Sequence, residues 1–443
     1  MHPDTRRFPP GLWRALTWLL WGDFILVLME QVMPSLFPLM LKDNHASNTA
    51  IGYIMGTIPG VLGFAVGPIL SYKSDRCRSR FGRRVPFMVA ALPFIVGVLC
   101  LIPFAPELTQ ALVRTGWGLK ALTWGLPVAP VLVSFTLLYT LYTIFNAICA
   151  SPYSWLLVDV VPQAYMGRFM SLMRVFTLCA SFAFNYFVMG LAERHLHAVF
   201  VGVAIAYGLG FGIVCWRVRE PPLPPQPPAR PSAPWYDGAR EILVRCFTKQ
   251  IYLWIYLAMM LYGWAALSGN LFDILFMRDT LGMNLATLGK IRAWTSILVI
   301  PLSYVFGTLV DRWRPAVAIM PALAIYAAGK LACFFFIHSA TSYFVWTLLT
   351  NVAAYFWGVT AAAYLPTLLP REDYGQFSTA LGLVSGISLL FMNPFCGWCF
   401  DQWKDYRYVY VWTVVFMLLG VLAFWRLYFL WKRHGGPDNY QAP

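Results

Sequence analysis

Runs of about 20 or more apolar residues alternate with short polar stretches along this chain, twelve times over. A run of that length crosses a hydrocarbon core of about 30 Å as a helix. The pattern predicts spans over residues 12–41, 51–72, 85–104, 127–158, 169–191, 198–216, 251–275, 288–309, 317–337, 343–368, 378–400 and 408–431. The expected class is all-α integral membrane, with twelve transmembrane helices in two pseudo-symmetric lobes of six. Residues 1–218 form the first lobe, 219–249 a cytoplasmic linker and 250–443 the second lobe. The linker holds Pro221-Pro222-Leu223-Pro224-Pro225-Gln226-Pro227-Pro228, which reads as a semi-rigid spacer, with a docking site for another protein as the alternative. The weakly amphipathic stretch Glu107–Gly125 is expected to lie as a helix in the membrane interface.

Composition agrees and adds orientation. The chain is 59% hydrophobic and 12% charged, about half the charged share of a soluble domain. The net charge of +14 would suit nucleic acid, but its placement argues against that partner. The basic residues gather in alternate loops, which sets topology and meets anionic lipid head groups. With both termini in the cytoplasm, about 23 of the 33 lysines and arginines fall inside. The expected location is the cell membrane, plasma or inner, spanned many times. The short polar N-terminus lacks a small-residue cleavage site, so the first run is expected to be a retained span. The nine cysteines are scattered through apolar runs as small core residues. Cys396-x-x-Cys399 has no second ligand pair, so no metal site is expected. No phosphate-binding loop or nucleophile elbow is present, which argues against an enzyme and against a bound cofactor. Membrane lipids and a small solute are the expected partners, with the protein as a monomer.

Two polar turns carry the strongest signal. Ser74-Asp75-Arg76-Cys77-Arg78-Ser79-Arg80-Phe81-Gly82-Arg83-Arg84-Val85-Pro86-Phe87 follows the second span, and Gly307-Thr308-Leu309-Val310-Asp311-Arg312-Trp313-Arg314 follows the eighth. A second echo supports the repeat. Pro162, Gly167 and Phe169 follow the fourth span, and Pro370, Gly375 and Phe377 follow the tenth at the same spacing. Matched signals in both halves are the mark of an internally repeated transporter. Gly82 suits a turn that needs positive φ.

These features resemble the major facilitator superfamily. Pro68, Tyr72, Ser74 to Cys77, Ser79 to Arg84, Pro86 and Phe87 resemble its glycoside–pentoside–hexuronide symporters, most of all the sucrose–proton branch. Ser71 and Val85 depart from that pattern. The end of the fourth span, Ser151-Pro152-Tyr153-Ser154-Trp155-Leu156-Leu157-Val158-Asp159, is similar too. Residues 51–70 hold no acid, Ala150 and Ser151 stand where a sugar-binding acid is found, and Tyr153-Ser154 lacks the sucrose-branch arginine. The resemblance implies that Asp75 caps the eleventh span near Phe377–Thr379 and that Asp311 faces the fifth near Arg168–Ser171. It implies that Arg76, Arg80, Arg83 and Arg84 bridge acids such as Asp159, Glu372 and Asp373 when the cytoplasmic gate is closed, with Arg312 in the matching place of the second half. For Arg78, setting topology and binding lipid is the expected role.

Polar residues inside spans are costly unless they face a cavity or a partner. Asp23, Glu30, Gln31 and Pro34 share a face of the first span, by spacings of seven and eight. A carboxylate taken out of water holds a proton more readily, which makes Glu30 the first candidate for carrying one and Asp23 the second. A structural hydrogen bond to another helix is the alternative. Tyr139, Tyr142, Asn146 and Tyr153 share a face of the fourth span, where aromatics commonly pack. Asn270 and Asp273 lie above Trp264 in the seventh span, at a depth similar to Arg292 and Trp294. An Asp273–Arg292 pair would close an outer gate or bind substrate, or be purely structural. Asn351, Tyr355 and Trp357 are candidate sugar contacts in the tenth span. Lys330 is expected to snorkel or pair locally, and Asn393 before Pro394 to mark a satisfied helix break.

The resulting expectation is a proton-coupled symporter of a sugar or glycoside, working by alternating access. An uncoupled facilitator or exporter of another small solute is the alternative. A non-transporting sensor or scaffold on the same fold is a third, supported only by the Pro-rich linker.

Overall fold

In a bilayer every backbone N–H and C=O must find its partner inside the protein, so apolar runs fold as helices. The computed structural model describes residues 10–79, 81–114, 129–218, 220, 246–298, 301–370, 374–436, 440 and 442. Among the described residues, ten helices are long and apolar enough to cross a membrane. One of them, residues 168–217, is 50 residues long and takes in two predicted spans. The predicted eighth span is met by two shorter helices, so each of the twelve predicted spans has a helical counterpart.

The first half contains α1 (Pro10–Glu30), α2 (Val32–Asp43), α3 (Asn48–Gly52), α4 (Ile58–Arg76), α5 (Val85–Leu101), α6 (Ala105–Arg114), α7 (Pro130–Val160), α8 (Gln163–Ala183) and α9 (Ala192–Arg217). The second contains α10 (Gln250–Leu275), α11 (Leu285–Leu298), α12 (Leu302–Trp313), α13 (Pro315–Phe336), α14 (Ala340–Leu368), α15 (Tyr374–Trp403) and α16 (Tyr408–Arg433). Helix α6 covers the start of the expected interfacial segment; residues 115–125 lie outside the described residues, as does the Pro-rich linker.

The first predicted span is met by one helical stretch of 31 residues, Trp13–Asp43, in which α1 runs on into α2 through Gln31, itself helical at φ −69° and ψ −23°. Pro34 has no N–H, and its ring crowds the carbonyl four residues back, which is that of Glu30. The Glu30 carbonyl therefore has no N–H donor at residue 34.

The chain divides into two compact units, Met1–Pro225 with Asn284–Ile297, and Gln226–Met283 with Leu298–Pro443. Within the first, α1 packs on α8 and α9, α5 on α7 and α9, and α4 on α7. Within the second, α10 packs on α15 and α16, α13 on α14 and α16, and α12 on α14. These are the same five pairings in the same order, so the repeat seen in the turns extends to the packing. Helix α11 belongs to the first unit, where Trp294 meets Phe182 edge to face at 6.1 Å. The core of the second unit is aromatic: Trp357 is fully buried, 4.8 Å from the Tyr262 ring and 5.6 Å from that of Phe424.

Candidate functional site

The polar residues of α1 are held by different neighbours. Asp23, buried, accepts a hydrogen bond of 2.7 Å from Thr177 Oγ1 on α8. Glu30 accepts one of 3.3 Å from Asn146 Nδ2 on α7. Asn146 Oδ1 is buried and receives no hydrogen bond among the described residues. A buried acceptor without a donor costs about 1–3 kcal/mol, so this pair has spare capacity for one proton. Gln31 sits half-buried between α1 and α2.

The tyrosine stripe of α7 is the seam that lays α7 along α1 and α2. Tyr139 stacks on Phe37 at 4.7 Å, the Tyr142 hydroxyl donates to Met29 Sδ at 3.4 Å, and the Tyr153 hydroxyl donates to the Leu19 carbonyl. Gly22 makes this approach possible, because a Cβ there would lie 3.0 Å from the Tyr153 ring. These tyrosines pack, and Asn146 hydrogen-bonds a carboxylate.

At one end of the same unit, the basic turn is clasped by two acids. Asp159, at the end of α7, accepts from Arg83 Nη2 at 2.6 Å and from Arg84 Nε at 3.4 Å. Arg84 is 7% exposed; its Nη1 donates to Ser74 Oγ at 2.6 Å, and its guanidinium lies 4.8 Å from the centre of the Trp155 ring. Glu220, three residues past α9, accepts from the backbone N–H groups of Arg83, Arg84 and Val85 at 2.7, 2.7 and 2.8 Å. Gly82 takes φ +104°, and a Cβ on it would strike the Glu220 carboxylate. Arg76 is exposed and lies over the Tyr72 ring at 3.6 Å, and Arg168 is exposed. The side chains of Asp75 and Asp311, and the residues Arg80, Glu372 and Asp373, lie outside the described residues. Sequence reasoning missed Glu220 and Thr177, and it named Ser74 and Trp155 without their contacts to Arg84. The available signal was charge balance, since five arginines in one turn need more than one acid.

In the second unit, Asp273 accepts from the Tyr343 hydroxyl at 3.3 Å, and Trp264 Nε1 donates to Ser388 Oγ at 3.0 Å. Asn270 and Arg312 are exposed; Asn351 and Tyr355 are half-buried on α14, and Arg292 is half-buried on α11. Trp357 stands apart from the other candidate sugar contacts, because its faces are covered by the core. Lys330 pairs locally, 5.7 Å from the ring centres of both Tyr326 and Tyr410. Asn393 Nδ2 donates to the Leu389 carbonyl at 2.8 Å. Among the described residues, no group of three His, Cys, Asp or Glu side chains is placed to hold a metal.

The model of the Major Facilitator Superfamily matches residues 19–387, and again 273–440. Among solved structures, the chain is similar to a bacterial homologue of the human lysosomal transporter Spinster, with a TM-score of 0.71 at 14% identity over 99% of this chain and 100% of that one. It is similar to a bacterial homologue of the iron transporter ferroportin, with a TM-score of 0.69 at 14% identity over 94% and 99%. A D-xylose–proton symporter matches with a TM-score of 0.61 at 15% identity over 97% and 98%. At these identities the likeness is one of fold.

Proposed function

Because the chain belongs to the Major Facilitator Superfamily and is therefore a multi-pass secondary transporter rather than an enzyme, we propose that it carries a sugar or glycoside together with a proton by alternating access. The observation that carries the coupling is the Glu30–Asn146 pair. With Glu30 ionised, the Asn146 amide donates to it and leaves its own oxygen without a donor. With Glu30 protonated, the acid can donate to that oxygen while still accepting from the amide nitrogen. The neutral form completes the hydrogen bonding of the buried pair, and the ionised form does not. Asp23, held by Thr177, is a second proton site on the same helix.

The sugar reading draws on the resemblance of residues 68–87 to glycoside symporters and on the likeness of fold to a D-xylose–proton symporter. Within the first unit Gln31, Asn146 and Arg292, and within the second Asn270, Asp273, Asn351 and Tyr355, offer polar groups of the kind that sugar hydroxyls need. The turn at 74–87 and its echo at 307–314 serve as cytoplasmic gate elements, with both termini inside the cell. An uncoupled facilitator or exporter is favoured by one feature. The second span, residues 51–70, holds no acid with which to bind a coupling ion.

Uptake into proteoliposomes with a glycoside panel, with and without an imposed pH gradient, separates these readings. The expected result is accumulation driven by the gradient. Glu30→Gln should abolish accumulation while leaving exchange across the membrane in place. Flux indifferent to the gradient would sink the coupling, and no flux for any glycoside by correctly inserted protein would sink the substrate class.

A further inference from the structure

Helix α5 begins at Val85, and its N-cap residue Arg84 supplies no side-chain cap. The first backbone donors of a helix need a partner from elsewhere. Here three successive N–H groups, of Arg83, Arg84 and Val85, converge on one carboxylate that lies about 135 residues later in the chain. Glu220 Oε2 takes the first and Oε1 the other two. Charge-assisted bonds of this length are the stronger kind, and the helix dipole adds to them. The turn is shaped around the acid, because Gly82 approaches the carboxylate more closely than any side chain allows.

Both arginines are thus gripped twice. Their backbone N–H groups are bound to Glu220, and their guanidinium groups reach Asp159. We propose that Glu220 is the positioning residue of this turn: it sets the backbone from which Arg83 and Arg84 close onto Asp159. The two acids then act as one device, Glu220 on the main chain and Asp159 on the side chains. The consequence for transport rests on the gate role proposed above; the positioning does not.

The test uses the full-length protein in lipid nanodiscs, with Glu220→Gln, Glu220→Ala, Asp159→Asn and the two double variants. Hydrogen exchange of the amides at 83–85 reports the cap. Maleimide labelling of Cys77, a half-buried free thiol in the turn, reports closure. In Glu220→Ala those amides should exchange about tenfold faster or more, since the opening becomes local. Glu220→Gln, which keeps a neutral acceptor, should fall between it and the parent, and amides of α13 should not change. Cys77 labelling should rise in Glu220→Ala and in Asp159→Asn, and the double variants should not exceed the larger single effect, as expected for residues acting as one unit. Unchanged exchange at 83–85 overturns the proposal. Faster exchange with multiplicative effects on Cys77 also overturns it, and makes Glu220 a helix cap only. Neither measurement needs solute or gradient, so failure of the proton-coupled reading leaves this result standing, and the reverse holds too.

Discussion

The two matched turns do the same topological job by different means. In the first unit, α4 ends at Arg76 and α5 starts at Val85, so eight residues must be ordered between them. They are ordered by Asp159 and Trp155 on α7, Ser74 on α4 and Glu220 past α9. In the second unit, α12 ends at Trp313 and α13 starts at Pro315, so Arg314 alone makes the connection, with φ +62° and ψ +131°. The first turn uses a glycine for its positive φ, and the second forces an arginine into one. A long turn needs partners from distant helices and so can be opened by losing them. A one-residue turn leaves a single pair of backbone torsions to be set.

Unequal losses from matched substitutions would sharpen this contrast, and equal losses would break it. The largest effect is expected for Asp159→Ala, which removes the acid facing a nearly buried Arg84 and should cost about 3 kcal/mol in thermal unfolding in detergent. Gly82→Ala comes next, at about 2 kcal/mol, from positive φ and the collision with Glu220. Its counterpart Arg314→Gly should have the opposite sign, a gain of about 0.5 kcal/mol, because relieved strain of about 1–2 outweighs the added chain entropy. A loss in Arg314→Gly equal to that in Gly82→Ala would refute the distinction. Trp155→Leu removes the ring beside the Arg84 guanidinium and should cost about 1 kcal/mol. Arg312→Ala, an exposed side chain of the second turn, should stay within about 0.5 kcal/mol of the parent.

Much of the fold was legible because the bilayer acts on each segment separately. Twelve apolar runs gave twelve helical counterparts, and the repeated Asp-Arg turns anticipated five repeated helix pairings. The first span, drawn as one helix over 12–41, is one helical stretch although it holds Pro34 and Pro38. The site was legible in kind rather than in pairing. Spacing placed Asp23 and Glu30 on one face of a helix, yet it could not say that one meets Thr177 and the other Asn146. The stripe from Tyr139 to Tyr153 was read as a face without its neighbour. Trp357 looked like Asn351 and Tyr355 in sequence, and only packing against Tyr262 and Phe424 separates it from them.

By itself, the sequence determined the membrane class, the two-fold repeat and the concentration of charge in one turn. Each of these depends on local composition, which the hydrocarbon core tests segment by segment. The tertiary structure decided which acid answers which arginine, that Glu220 holds the backbone of the turn, and that Glu30 shares a buried amide with an open acceptor. Those choices depend on groups 75 to 137 residues apart in the chain, and no periodicity encodes a partner at that distance. Packing alone brings such groups within the roughly 3 Å at which a hydrogen bond forms.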